Sequence, residues 1–131
     1  PVVICHKTRA RANVVERIRA IGDVEGKDIV IVDDIIDTAG TLTAAANELF
    51  KLGAHSVRAV GTHPVLSGPA YERIDSSALE EVYVTDTIPL STDPEKQKLQ
   101  GKIKVISMAD TFARMIMRVY NYQPISPEFI M

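Results

Sequence analysis

The chain has 131 residues, 46% of them hydrophobic and 24% charged, which suits one ordered globular domain and excludes a solvated, disordered tail. A formal net charge of −2 excludes a general attraction to nucleic acid, which needs a basic face. Cys5 is the only cysteine, so an internal disulfide and a cysteine zinc cluster are excluded, and no apolar run approaches the roughly 20 residues of a membrane helix. These features predict a cytoplasmic protein with neither nucleic acid nor membrane as partner. The chain opens on Pro1-Val2-Val3-Ile4, with no initiator methionine or polar lead-in, and reads as a piece of a longer polypeptide.

Val2 to Cys5 is a β-prone apolar run. The basic stretch His6-Lys7-Thr8-Arg9-Ala10-Arg11-Ala12 has no apolar period and reads as a loop. Val14 to Ile21 fits either a helical stripe or a strand, and periodicity does not choose between them. Asp28 to Val32 places four β-branched residues between Gly26 and an acidic pair, which predicts a central strand buried on both faces. From Thr41 the apolar positions Leu42, Ala45, Ala46, Leu49 and Phe50 fall at helical spacing, with Gly53 positioned to end the helix. Val57 to Thr62 predicts a strand, Pro69 to Ile74 a short helix, Val82 to Thr85 and Lys104 to Ile106 two more strands. Ser91 to Gly101 reads as solvated surface. A last helix is predicted over Met108 to Tyr120, with Phe112, Met115, Ile116 and Val119 on one face and Ser107 with Asp110 as a capping pair. Strands alternating with helices predict an α/β fold around a parallel sheet.

The chemistry concentrates in Ile31-Val32-Asp33-Asp34-Ile35-Ile36-Asp37-Thr38-Ala39-Gly40-Thr41, a strand, an acidic turn and a helix start. The free N–H groups and dipole of a helix N-terminus make an anion site, to which Thr38 and Thr41 can add hydroxyl donors and Gly40 a close backbone approach. Open α/β sheets bind ligands beyond the carboxyl ends of their strands, where this turn falls. Two adjacent carboxylates about 4 Å apart repel by roughly 1 kcal/mol in water and about 4 at a surface-like dielectric, so Asp33 and Asp34 call for sugar hydroxyls or Mg²⁺ to compensate them. Asp37 is assigned to shaping the loop. Neither GxxxxGK[ST] nor GxGxxG occurs, which removes the two commonest nucleotide loops.

The run Asp33 to Thr41 resembles the phosphoribosyl pyrophosphate (PRPP) motif shared by type I phosphoribosyltransferases and ribose-phosphate pyrophosphokinases. The motif alone does not separate them. The flanks Val24-Glu25-Gly26-Lys27 and Thr62-His63-Pro64-Val65-Leu66-Ser67-Gly68-Pro69-Ala70 are similar to the pyrophosphokinases, and the likeness covers essentially the whole chain as their C-terminal part. It implies an α/β fold of the type I phosphoribosyltransferase kind, incomplete at its N-terminus, and one domain of a two-domain enzyme.

The activity implied is transfer of diphosphate from ATP to ribose 5-phosphate, with Mg²⁺, to give PRPP and AMP for nucleotide biosynthesis. Asp33 and Asp34 would hold the ribose hydroxyls, directly or through the metal, and Asp37, Thr38, Ala39, Gly40 and Thr41 would enclose the 5-phosphate. Lys7 and Arg9 match the family's catalytic loop cations, and Arg11 and Asn13 also fit its pattern, whereas Thr8, Ala10 and Ala12 depart from it. Mobile cations of this kind suit a transition state that concentrates negative charge. The resemblance further implies a homohexamer and an adenine pocket, a magnesium histidine and an Asp-His-Gly-Gly loop upstream of this chain, so that the chain by itself is expected to bind ribose 5-phosphate weakly and to be inactive. His63 is given a substrate-adjacent place, and Arg114 with Arg118 a solvent or subunit-facing one. Two alternatives remain, a type I phosphoribosyltransferase and a non-catalytic regulatory relative. The first lacks a visible base pocket after the last strand, and the second would have lost Lys7 and Arg9.

Overall fold

The computed structural model describes residues 4–8 and 17–129, with side chains from 22 to 129. The order is β1 (Ile4–Thr8), β2 (Arg17–Ile21), β3 (Asp28–Ile36), α1 (Gly40–Lys51), β4 (Ser56–Pro64), α2 (Ala70–Ser76), β5 (Val82–Thr85), α3 (Pro94–Gln97), β6 (Ile103–Ile106) and α4 (Ala109–Tyr120), closed by a 3-10 turn at Ser126–Glu128. β1 and β2 form a separate antiparallel ribbon, whereas β3, β4, β5 and β6 form a parallel sheet in that spatial order. The α/β architecture is therefore as the alternating pattern predicts.

α1 forms because Leu42, Ala45, Ala46 and Leu49 repeat at helical spacing and are all buried. Its end is fixed by Gly53 at φ +90°: the N–H of Gly53 donates to Phe50 O at 3.1 Å and that of Ala54 to Leu49 O at 3.2 Å, the paired bonds of a glycine-terminated helix. The buried side of the sheet supplies Val57, Ala59, Val82, Val84 and Ile103, which pack with Leu42, Ala46 and Leu49 of α1 and Tyr71 and Ile74 of α2. Leu49 and Ile74 are 1% and 0% exposed, and removing an aliphatic side chain of this size from water contributes about 1.5–3 kcal/mol.

Among the described residues the other side of the sheet is uncovered. Val30 and Val32 are 57% and 78% exposed, and among the described residues β3 pairs only with β4. The strand expected at the centre, buried on both faces, thus sits at an edge and is covered on one. Its unbroken apolar run fits a parallel strand, but a run cannot reveal which neighbours are present.

Three further expectations change. His6 to Thr8, read as loop, belong to β1, since an antiparallel ribbon is held by its backbone ladder and needs no apolar period; Lys7 lies opposite Ile18 there. The choice left open over Val14 to Ile21 falls to strand over Arg17–Ile21, with residues 14–16 outside those described. Met108 occupies the N-cap of α4 and offers no side-chain cap, while Ser107 Oγ accepts the Ala109 N–H at 3.3 Å, so the expected pair contributes through Ser107.

At the amino ends of β3 and β4, the Asp28 carboxylate accepts from Ser56 Oγ at 2.5 Å and meets His55 Nδ1 at 2.8 Å. The His55 bond, followed by that from Ser56, holds the Asp28 carboxyl below its usual range, and the same contact raises His55. Glu128 takes Arg114 Nε at 3.0 Å and Arg118 Nε at 2.6 Å, so the two arginines, of which Arg114 is exposed to solvent as expected, also secure the 3-10 turn. Arg114 first and Arg118 second keep the Glu128 carboxyl below the ordinary range.

Candidate functional site

β3 continues past Val32 through the acidic pair to Ile36. Its register runs from Asp28 opposite Ser56 to Asp33 opposite Gly61 and resumes with Ile35 opposite His63. Asp33 and Asp34 therefore sit in a strand, not in a turn, and successive strand side chains project to opposite faces. The repulsion expected from a shared turn is relieved by this geometry; the Asp33 carboxylate also accepts the Asp34 N–H at 3.0 Å. Both residues are exposed near the carboxyl end of the strand.

The turn that follows is Asp37, Thr38 and Ala39. Asp37 and Thr38 are exposed, whereas Ala39 is 5% exposed and its methyl belongs to the core, so Ala39 can offer a ligand only its backbone. Ala39 is left-handed (φ 56°, ψ 7°) and stands at the N-cap of α1, with no side-chain cap and no acidic residue in the first turn. The dipole of the helix, equivalent to roughly half a positive charge at this end, is thus left for an incoming anion. Thr43 Oγ1 turns back to Ala39 O at 2.8 Å, and Thr41 is exposed on the first turn.

The turn is braced from the segment between β4 and α2. Leu66 N donates to Ile36 O at 3.0 Å and Ser67 N to Asp37 O at 3.1 Å, Ser67 Oγ donates to the Asp37 carboxylate, and Arg73 Nη1 donates to Thr38 O at 2.9 Å. The sequence gives no warning of Ser67 or Arg73, because a serine before Gly-Pro and an arginine on a short helix are ordinary surface residues. Next along the same rim, His63 Nδ1 meets Thr87 Oγ1 at 3.0 Å, and the hydroxyls of Thr85 and Thr87 both reach Thr62 O. Asp86 accepts Ser107 Oγ at 2.6 Å and Met108 N at 2.8 Å, and those bonds, Ser107 first, depress its pKa. The start of α4 is thus tethered by a residue that is distant in sequence, which local pattern cannot show.

Of the proposed site residues, Asp33, Asp34, Asp37, Thr38, Ala39, Gly40 and Thr41 lie together in one strand–turn–helix unit. Lys7 is in β1, with its side chain outside the described ones; Arg9, Arg11 and Asn13 lie outside the described residues. Among the described residues no group of three or more His, Cys, Asp or Glu side chains could enclose a metal ion, and no helix is long and apolar enough to cross a membrane.

A parallel sheet in which β3 runs acidic into an uncapped helix start defines an α/β domain with its candidate site on the carboxyl rim. The comparisons narrow this. The profile of the phosphoribosyl synthetase-associated domain matches residues 7–129, and the chain belongs to that family. It is 50% identical over 129 residues to the ribose-phosphate pyrophosphokinase of Wolinella succinogenes and 51% over 128 residues to that of Helicobacter hepaticus, in each case over 98% of this chain and 40% of the relative. The crystal structure of phosphoribosylpyrophosphate synthetase from Mycobacterium smegmatis superimposes with a TM-score of 0.80 at 38% identity, over 93% of this chain and 37% of that one. The chain therefore spans about 40% of the length of these curated relatives.

Proposed function

We propose that the chain supplies the ribose 5-phosphate site of a ribose-phosphate pyrophosphokinase, the activity named for its relatives. The observation that carries this reading is the β3–α1 unit of a family member, where exposed carboxylates end the strand and an uncapped helix N-terminus follows two residues after Asp37. Asp33 and Asp34 would accept the ribose hydroxyls, and Asp37, Thr38 and the amides of Ala39, Gly40 and Thr41 would surround the 5-phosphate.

In the reaction, the anomeric hydroxyl attacks the β-phosphorus of ATP, the bond to the α-phosphate oxygen breaks, and AMP departs with the electron pair. Lys7 and Arg9 would offset the charge on the transferring phosphates. Mg²⁺ is commonly held by one or two carboxylates together with substrate oxygens, so the lack of a three-carboxylate cluster among the described residues is compatible with it, Asp33 or Asp34 being the protein ligand. The cytoplasmic homohexamer belongs to the same proposal. Retention of Lys7 and Arg9 favours a catalytic protein over a regulatory relative.

Replacing Asp34 with Ala in the full-length protein tests the site. A hydrogen bond to a charged group contributes about 1.5–3 kcal/mol, so ribose 5-phosphate should bind roughly 10- to 100-fold more weakly by calorimetry, with PRPP formation reduced accordingly. Unchanged affinity and turnover would remove the assigned role.

A further inference from the structure

Three consecutive carbonyls of the turn are turned toward the same brace. Ile36 O is held by Leu66 N, Asp37 O by Ser67 N and Thr38 O by the Arg73 guanidinium. A trans peptide is planar, with its C=O and N–H pointing in opposite directions. Fixing each carbonyl on the α2 side therefore aims the next N–H, those of Asp37, Thr38 and Ala39, at the opposite side, where the anion is proposed to sit.

The third of these bonds differs from the first two. Leu66 and Ser67 act through their backbones, which any residue could supply, whereas Thr38 O depends on one side chain 35 residues away. The peptide it controls joins Thr38 to Ala39, and Ala39 is left-handed, a conformation that a residue with a Cβ resists unless its surroundings impose it. The guanidinium also lies close to the helix start: a Cβ added at Gly40 would lie 3.1 Å from Arg73 Nη1. Gly40 thus leaves room for the arginine as well as for a ligand.

We propose that Arg73 is a positioning residue of the phosphate-binding turn, holding the Thr38 carbonyl so that the Thr38–Ala39 peptide presents its N–H to the 5-phosphate. The inference rests on the ribose 5-phosphate reading of the turn. It assigns α2 a part in binding although the helix does not itself meet the substrate.

The test compares Arg73→Met and Arg73→Lys with the unaltered full-length protein, and uses Arg58→Met, a half-buried arginine of β4 paired with Glu80, as a control. Calorimetric titration of the unaltered protein with ribose 5-phosphate comes first; no binding there overturns the site reading itself. With binding established, Arg73→Met should raise the KM for ribose 5-phosphate about tenfold or more while leaving the KM for ATP within about twofold, the change expected when one charge-assisted hydrogen bond is lost. Arg73→Lys, which keeps a donor and the charge, should recover part of that loss and serves as the deciding variant if the methionine substitution prevents folding. Arg58→Met should leave both constants alone. Ribose 5-phosphate constants equal to those of the unaltered protein in the folded variants would overturn the positioning role, as would a parallel loss for both substrates that tracks a lowered Tm.

Discussion

The Ile36 side chain lies over Gly61, which pairs with Asp33 across β3 and β4. A Cβ at Gly61 would stand 2.4 Å from Ile36 Cδ1 and 2.7 Å from its Cγ1, against the roughly 3.5–4.0 Å at which carbon atoms rest in contact. Ile36 is 2% exposed and packed within the core, so its displacement would disturb its neighbours. Overpacking of this kind costs about 1–3 kcal/mol, and the smaller unfolded-state entropy of Ala relative to Gly returns about 0.4–1 kcal/mol, which leaves a net cost for Gly61→Ala of up to about 2.5 kcal/mol. Ile36→Ala alone should cost about 2–5 kcal/mol for the lost burial and the cavity. With both substitutions, the nearest remaining atom to the new methyl is the Cβ of residue 36 at 3.9 Å, an ordinary contact, so the Gly61 change should become neutral or stabilising. Urea unfolding of the four proteins, followed by far-UV circular dichroism, measures the coupling, which should be about 1–3 kcal/mol. An equal cost of Gly61→Ala in both backgrounds would refute the steric argument.

Protonation at the far end of the sheet gives a pH signature. His55 is raised above 6.5 in the folded protein, so its contribution is complete below that pH and disappears as pH climbs through the folded value; Asp28 lies below 3.8, and its contribution disappears as pH falls through that lower value. His55→Asn should therefore be less stable than the unaltered protein near pH 5–6 and converge with it by about pH 9 in denaturant titrations, whereas a constant gap would count against the pair. Glu128→Gln should release the 3-10 turn from Arg114 and Arg118, which hydrogen exchange would record as faster exchange at the Gln123 and Glu128 amides with α1 unaffected. Identical exchange at these amides would show that the ion pairs do not secure the segment.

The sequence made some elements readable and concealed others for identifiable reasons. α1 was plain because an apolar stripe and a terminal Gly53 are both local signals, and β5 because Val82 to Thr85 is short, β-branched and bounded. β3 was cut short at Val32, since aspartate is disfavoured in strands, yet the parallel ladder to β4 carries it to Ile36. The longer strand leaves the candidate site in place, because Asp33 and Asp34 both remain exposed near its carboxyl end. The turn itself was readable from Asp37 through Thr41 because helix starts have local chemistry. Its brace was not, because Ser67 and Arg73 reach it across 30 and 35 residues, and long-range contacts of single polar side chains leave no period to find. Asp86, which follows β5 and holds the start of α4, has no local signal for the same reason.

The exposed valines of β3 also shape how this chain responds to heat. Valines such as Val32, already wetted in the native state, contribute little further hydration when the chain unfolds, so the heat capacity increment should fall below the usual ~12–15 cal/mol/K per residue and the stability curve should be broad and shallow. A surface that came to rest on those strands would reverse this, and the association would carry a negative heat capacity change in proportion to the apolar area it dried.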